Sequence, residues 1–211
     1  MSKREHRPAQ AVERAREAAA STRQLLAAQA DATLVRAAQT GDRTAFEELY
    51  RRHVQLVYAR LTRLIGFSPD REDLVQQVFW SFHLALPRYR GDASVAAFLH
   101  GIVVHIAYEA LRKRRRAMGT SKELELDQLV APDATPEARA RQREQLARVF
   151  VLLERLKPKK RIAFVLHVVE ELPLTEVAVL TRSQPRAVGQ RVAYARRELL
   201  QMLQREGGVD E

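Results

Sequence analysis

The residues best suited to hold a polyanion gather at two places. Arg112-Lys113-Arg114-Arg115-Arg116 is a run of five cations. Cations suit the negative end of a helix, but five exceed any capping need. Upstream lies Arg88-Tyr89-Arg90-Gly91, an aromatic ring between two arginines, followed by Phe98. Aromatics among cations suit single-stranded nucleic acid, with stacking for bases and charge for phosphates. Phe98 taken alone would more often be core, so Tyr89 is the better stacking candidate. The second place is the C-terminal third, with Arg182, Arg186, Gln190, Arg191, Tyr194 and Arg197. Arginine and glutamine are the side chains that make bidentate contacts with base edges in the major groove.

A third group has different chemistry. In Asp73-Leu74-Val75-Gln76-Gln77-Val78-Phe79 the apolar residues fall on one helical side and Asp73, Gln76 and Gln77 on another. A polar strip beside an apolar one suits the docking of another helix, and it equally fits a plain amphipathic helix.

Enzyme chemistry finds little support. There are no cysteines, which removes disulfides, thiolate zinc sites and cysteine nucleophiles. The 6 histidines are scattered. His100 and His105 are five apart and lie on different helical faces, unable to chelate together. No Gly-rich phosphate loop or nucleophile elbow occurs. Glu170-Glu171 reads as a solvated pair before a helix.

The elements that must position these groups are helical. In 211 residues there are only 8 glycines and 8 prolines, a low share of breakers, and no segment alternates with period two. Asp31 reads as the N-cap of a short helix ending at Gly41. Asp42 opens a longer one, with Phe46, Leu49, Tyr50, Val54, Val57, Leu61 and Leu64 on one face and Gly66 at its end. Ser68-Pro69 then reads as a cap and first turn. Leu74, Val75, Val78, Phe79 and Phe82 face inward from that helix. A fourth helix starts near Asp92 or Ser94 and runs down Val95, Leu99, Ile102, Val103, Ile106 and Leu111. Residues 117–136 break the pattern and read as a linker, with one short turn around 124–129. Thr135-Pro136-Glu137 opens a second unit. There Leu146, Val149, Phe150, Leu153 and Leu156 precede the break at Pro158. Ile162, Val165 and Leu166 follow, then a short segment 173–180. The last helix has Val188, Val192, Ala195, Leu199 and Leu203 inward. A short helix, a tight turn at 181–184 and a longer basic helix form a helix-turn-helix pattern.

The expected fold is all-α, with two helical domains joined by a flexible linker. The divisions are an extension at 1–30, a first domain at 31–116, a linker at 117–136, a helix-turn-helix domain at 137–204 and a tail at 205–211. The extension reads as a frayed polar helix outside the core. A net charge of +10 favours a polyanionic partner. The N-terminus has no apolar segment that would make it a signal peptide, and no apolar run of about eighteen residues predicts a membrane span. Lack of cysteine fits a reducing, cytoplasmic setting.

The string Glu72 to Phe79, then Tyr89-Arg90-Gly91, Phe98-Leu99 and Leu111-Arg112-Lys113-Arg114, resembles region two of bacterial RNA polymerase sigma factors. Residues 156–203 resemble their region four. With no third globular region between them, the chain is similar to the extracytoplasmic-function group. The resemblance implies that Asp73, Gln76 and Gln77 dock on the clamp helices of core RNA polymerase. It implies that the loop of Arg88, Tyr89 and Arg90, with Phe98, His105, Arg112, Lys113 and Arg114, holds the unpaired minus-ten element. Arg182, Arg186, Gln190, Arg191, Tyr194 and Arg197 would serve the minus-thirty-five element. Promoter DNA, core polymerase and an anti-sigma factor are the implied partners. No cofactor or metal and no catalysis by the chain itself are implied, and a free monomer is expected.

Several positions depart from the family pattern. Phe98-Leu99 stands for a Trp-Leu pair, His105 for a frequent asparagine, and Gln77 for a glutamate. Arg182 occupies a turn position that is often glycine. Ala187-Val188-Gly189-Gln190-Arg191 replaces a Thr-Val-Lys-Ser-Arg run, and Tyr194 a frequent arginine, while Arg191 and Arg196 are retained. These changes alter base reading more than fold. Two other readings share parts of the sequence: a stand-alone helix-turn-helix regulator, and a sigma-derived interaction protein that no longer initiates.

Overall fold

A computed structural model describes residues 29–66, 68–117 and 148–207, and no strand occurs among them. The expected linker turn, the Thr135-Pro136-Glu137 start and the extension before residue 29 lie outside the described residues.

The first unit is four helices. Helix α1 is described over 29–39. Asp31 does not cap it. That residue lies within the helix and is buried, its carboxylate 2.8 Å from His53 Nε2 and 3.3 Å from Arg52. Helix α2 spans Arg43–Ile65. Asp42 caps it as expected, accepting from the backbone N–H of Thr44 and Ala45 at 2.9 and 3.2 Å, a contact type worth about 1 kcal/mol. Gly66 ends it, with φ 71° and its N–H donating to Thr62 O.

Helix α3, Arg71–Ala85, starts later than Ser68-Pro69 suggests, because residues 69–70 form a turn first. It passes into a 3₁₀ turn at Leu86–Arg88. Helix α4 spans Val95–Ala117. Of the two candidate caps, Ser94 serves, its Oγ accepting from Ala97 N–H at 3.2 Å. The five-cation run is wholly helical, so its charges radiate around the helix. α4 is long and apolar enough to cross a membrane by length and composition. Its apolar face, however, is the spine of the bundle, packed on α2 and α3. Leu99, Val103 and Ala107 on it are fully buried.

The second unit has helix α5, described over 148–155, and α6, Pro158–Phe164, with proline at its first position. α6 continues as a π turn at Val165–Val169. Helix α7 covers Leu174–Leu180 and α8 covers Pro185–Gly207. Val188, Val192 and Ala195 face inward as expected, but Val149 and Leu203 are exposed. The turn between α7 and α8 puts Arg182 in left-handed backbone, φ 47°.

The two units are packed together rather than merely tethered. α6 and α7 lie on α4, the π turn lies on α2, and one buried apolar cluster runs through both units. Phe150 covers Gly66, where a Cβ would come within 3.1 Å of its ring. Arg161, 1% exposed, donates from Nε to Leu64 O at 2.7 Å. Glu170-Glu171 is not a solvated pair. Glu171 is exposed in left-handed backbone, whereas the Glu170 carboxylate is turned inward to the first unit.

Candidate nucleic-acid interface

On α3 the inward residues are those that periodicity predicts, and Asp73, Gln76 and Gln77 are exposed. The outer stripe continues beyond them. Asp73, Gln77, Trp80 and Leu84 follow at helical repeats, with Trp80 64% and Leu84 62% exposed. Both apolar residues were outside the sequence-based site. The signal was present, since neither fits the inward set of Leu74, Val75, Val78, Phe79 and Phe82. Tryptophan is among the residue types enriched at the energetic centres of protein interfaces.

The aromatic loop is less open than its composition suggests. Tyr89 packs on Phe98 with ring centroids 5.1 Å apart, and Phe98 leans on Phe82 at 6.1 Å. The Tyr89 hydroxyl donates to Ala93 O. Gln39 of α1 donates to both Leu86 O and Tyr89 O at 2.9 Å, which ties the loop to the bundle. Burial, with Asp31 and Asp92 nearby, pushes the Tyr89 phenol upward, so it remains a donor at neutral pH. Arg88 and Arg90 are exposed on either side.

Phe98, His105 and Arg112 repeat every seven residues and share one stripe of α4. His105 is exposed, and Arg112 is paired with Glu109 at 3.0 Å. Lys113 is exposed. Arg114 turns toward the other unit, 3.3 Å from Ile65 O and 3.6 Å from Glu154. It is thereby separated from the rest of the predicted minus-ten set.

On α8, Arg186, Gln190, Tyr194 and Arg197 form an exposed stripe opposite Val188, Val192 and Ala195. Lys160 and Arg197 flank the Tyr194 ring at 5.4 and 5.9 Å. Arg191 stands apart from this stripe. It is half-buried and donates to Ser183 Oγ at 2.8 Å, bracing the helix-turn-helix turn. Arg191 also lines a cleft of about 550 Å³ between the units. Arg112, Arg115 and Arg116 enter that cleft from α4, and Lys157, Lys159 and Lys160 from the start of α6. No acidic residue lines it. Such a concentration of like charge attracts phosphate. Among the described residues no group of three or more acidic, histidine or cysteine side chains is arranged to hold a metal.

Two helical units, one with an exposed polar and apolar stripe on α3 and one a basic helix-turn-helix, define a class. The family model Sigma-70 region 2 matches residues 49–117, and Sigma-70, region 4 matches residues 146–199. The ECF RNA polymerase sigma factor SigM of Mycobacterium tuberculosis is 34% identical over 175 residues, 82% of this chain and 84% of that one. SigD of the same organism is 34% identical over 170 residues, 77% of this chain and 78% of its own. Among solved structures, CnrH in complex with the cytosolic domain of CnrY matches with a TM-score of 0.57 at 26% identity. That match covers 86% of this chain and 99% of CnrH. The sigma factor RpoE of Bartonella quintana, in complex with the anti-sigma factor NepR, shares the fold with a TM-score of 0.54 at 18% identity. It covers 79% of this chain and 98% of that one. The chain belongs to the extracytoplasmic-function RNA polymerase sigma factors. It is a transcription initiation factor whose partners are core RNA polymerase and promoter DNA.

Proposed function

We propose that α3 is the polymerase-docking element, with Asp73, Gln76 and Gln77 as its polar contacts and Trp80 and Leu84 as its apolar anchors. The observation that carries this reading is the large exposed apolar surface on the same stripe as the acid and amides. A stand-alone DNA-binding regulator has no use for such a stripe on its non-DNA domain. The Tyr89–Phe98 pair, with Arg88, Arg90, His105, Arg112 and Lys113, takes the unpaired minus-ten strand. The α8 stripe of Arg186, Gln190, Tyr194 and Arg197 enters the major groove of the minus-thirty-five element, with Arg182 and Arg191 at its flank. The functional units are 31–116 and 137–204, joined by 117–136. The chain works in the cytoplasm, performs no covalent chemistry of its own and is a monomer when free. The RpoE relative is held by an anti-sigma factor, and an inhibitory protein partner for this chain is part of the same reading.

The test is co-elution with purified core RNA polymerase. Wild type should co-elute, and Asp73→Ala and Trp80→Ala should each weaken the complex while leaving the helical signal intact. Wild type failing to co-elute at low salt would remove the docking assignment.

A further inference from the structure

The promoter elements named minus ten and minus thirty-five are about 25 base pairs apart. At about 3.4 Å per pair this is about 85 Å of duplex. In this structure residues assigned to the two elements, Arg112 and Arg191, line one cleft. The two units must therefore part before both elements are held at once. What holds them together decides how readily that happens.

The buried charged part of that contact is at Glu170. Its backbone N–H bonds to Val165 O, five residues back, closing the π turn, and the next residue, Glu171, is left-handed. This local geometry carries the carboxylate off the second unit's own surface. The Glu170 side chain is 8% exposed, and its polar neighbours come from the first unit. His100 Nε2 of α4 is 3.4 Å away and Arg63 of α2 is 3.8 Å away. Arg60, also of α2, adds its field to the same carboxylate. The arginines attract the carboxylate by charge, His100 is neutral near pH 7, and both spacings are too long for good hydrogen bonds. Glu170 Oε1 and His100 Nε2 have no hydrogen-bond partner, and neither does Nη2 of Arg161, which lies by Gly66 elsewhere on the interface.

A permanent seam between two units is expected to be apolar or fully paired, because half-satisfied buried polar groups are costly. Much of this seam is apolar, but around Glu170 its polar groups are only half paired. Each under-partnered group regains water on opening. Across the neighbouring cleft, Arg115 and Arg116 face Lys157 and Lys159, and that repulsion also favours opening. The α3 stripe stays exposed while the units are closed. Polymerase could therefore take hold of the closed form first.

We propose that the Glu170 contact with Arg63, Arg60 and His100 is an autoinhibitory latch: it keeps the two DNA-reading units closed on each other and releases without unfolding either. The gating role rests on the promoter-reading assignment above, whereas the latch itself does not.

The chain has no cysteine, so a donor and an acceptor dye can be placed through E47C and Q201C, both at exposed helical positions. Energy transfer in this parent should report the closed form. Glu170→Gln should lower transfer with circular dichroism unchanged. Glu171→Gln, the exposed neighbour, should leave it at the parent value. The charge swap R63E with E170R should restore it. The opened variant should also bind a promoter duplex more tightly, by about tenfold if the parent is open about a tenth of the time. Parent-level transfer in Glu170→Gln, or an already open parent, would overturn the latch. Opening without any gain in promoter binding would overturn the gating. Core polymerase co-elution of the same variants reads the docking assignment separately, since none of these substitutions touches α3.

Discussion

Gly66 does two things that no other residue type does there. Its backbone, φ 71° and ψ −161°, lies where a Cβ is strongly disfavoured, and Phe150 occupies the space a Cβ would need. Gly66→Ala should lower stability by about 1–3 kcal/mol, measured by urea unfolding. Gly189 is the opposite case. It sits inside α8, and a Cβ there would meet only Leu174 Cδ1 at an ordinary 3.6 Å. Gly189→Ala should raise stability by about 1 kcal/mol in the same assay, and a loss would mean that α8 is strained at that point. Both glycines were visible in the sequence, Gly66 as a helix stop and Gly189 as a departure from the family's recognition-helix run. The close approach of Phe150 was not, because it joins residues far apart in the chain. Arg182 stood out against the family pattern, and its left-handed φ gives the reason for the usual glycine. Tyr89 was legible as an aromatic among arginines, but the occupation of its hydroxyl by Ala93 was not.

Helix faces were the most legible level, since a 3.6-residue repeat sorts inward from outward directly. Leu49, Val57 and Leu61 on α2 and Val188, Val192 and Ala195 on α8 fall where the spacing puts them. Helix starts were less so. Ser68-Pro69 has cap chemistry, yet a turn intervenes before α3, and Asp31 has cap chemistry but is consumed by His53. The π turn in α6 left no mark, because one wider turn hardly disturbs an apolar repeat. Two predictions belong to these elements. Trp80→Ala should weaken core-polymerase binding by at least about tenfold, as loss of a central aromatic anchor does, without moving the melting temperature. An unchanged equilibrium titration would show that α3 docks by its polar strip alone. On α8, Arg186→Ala should reduce the slope of log affinity against log salt for promoter duplex by about one. Arg191→Ala acts through the brace to Ser183 as well, so it should also lower the melting temperature.

The packing of one unit on the other is a property of the whole molecule that local patterns do not encode. Glu170 looked like half of a solvated pair because its partners, Arg60, Arg63 and His100, lie on helices of the other unit. Their burial has a consequence in pH. His100 is pushed down to about 4 by burial first and by Arg60 and Arg63 second. Unfolded, it titrates near 6.5, so between pH 6.5 and 4 the unfolded chain binds a proton that the native chain refuses. Stability attributable to His100 therefore falls as pH falls through that window. Glu170 is pushed upward by burial against the pull of Arg60 and Arg63. Native Glu170 accepts its proton at higher pH than the unfolded side chain does, and so contributes the opposite slope. Glu176 of α7 adds to the field on Arg60 but leaves both signs unchanged. The two contributions separate by substitution. Relative to wild type, His100→Gln should lose less stability between pH 7.5 and pH 5, and Glu170→Gln should lose more. Urea unfolding at the two pH values measures both. Variants that track wild type at both pH values would mean that these side chains are hydrated in solution, and that the units do not close on each other as the structure has them.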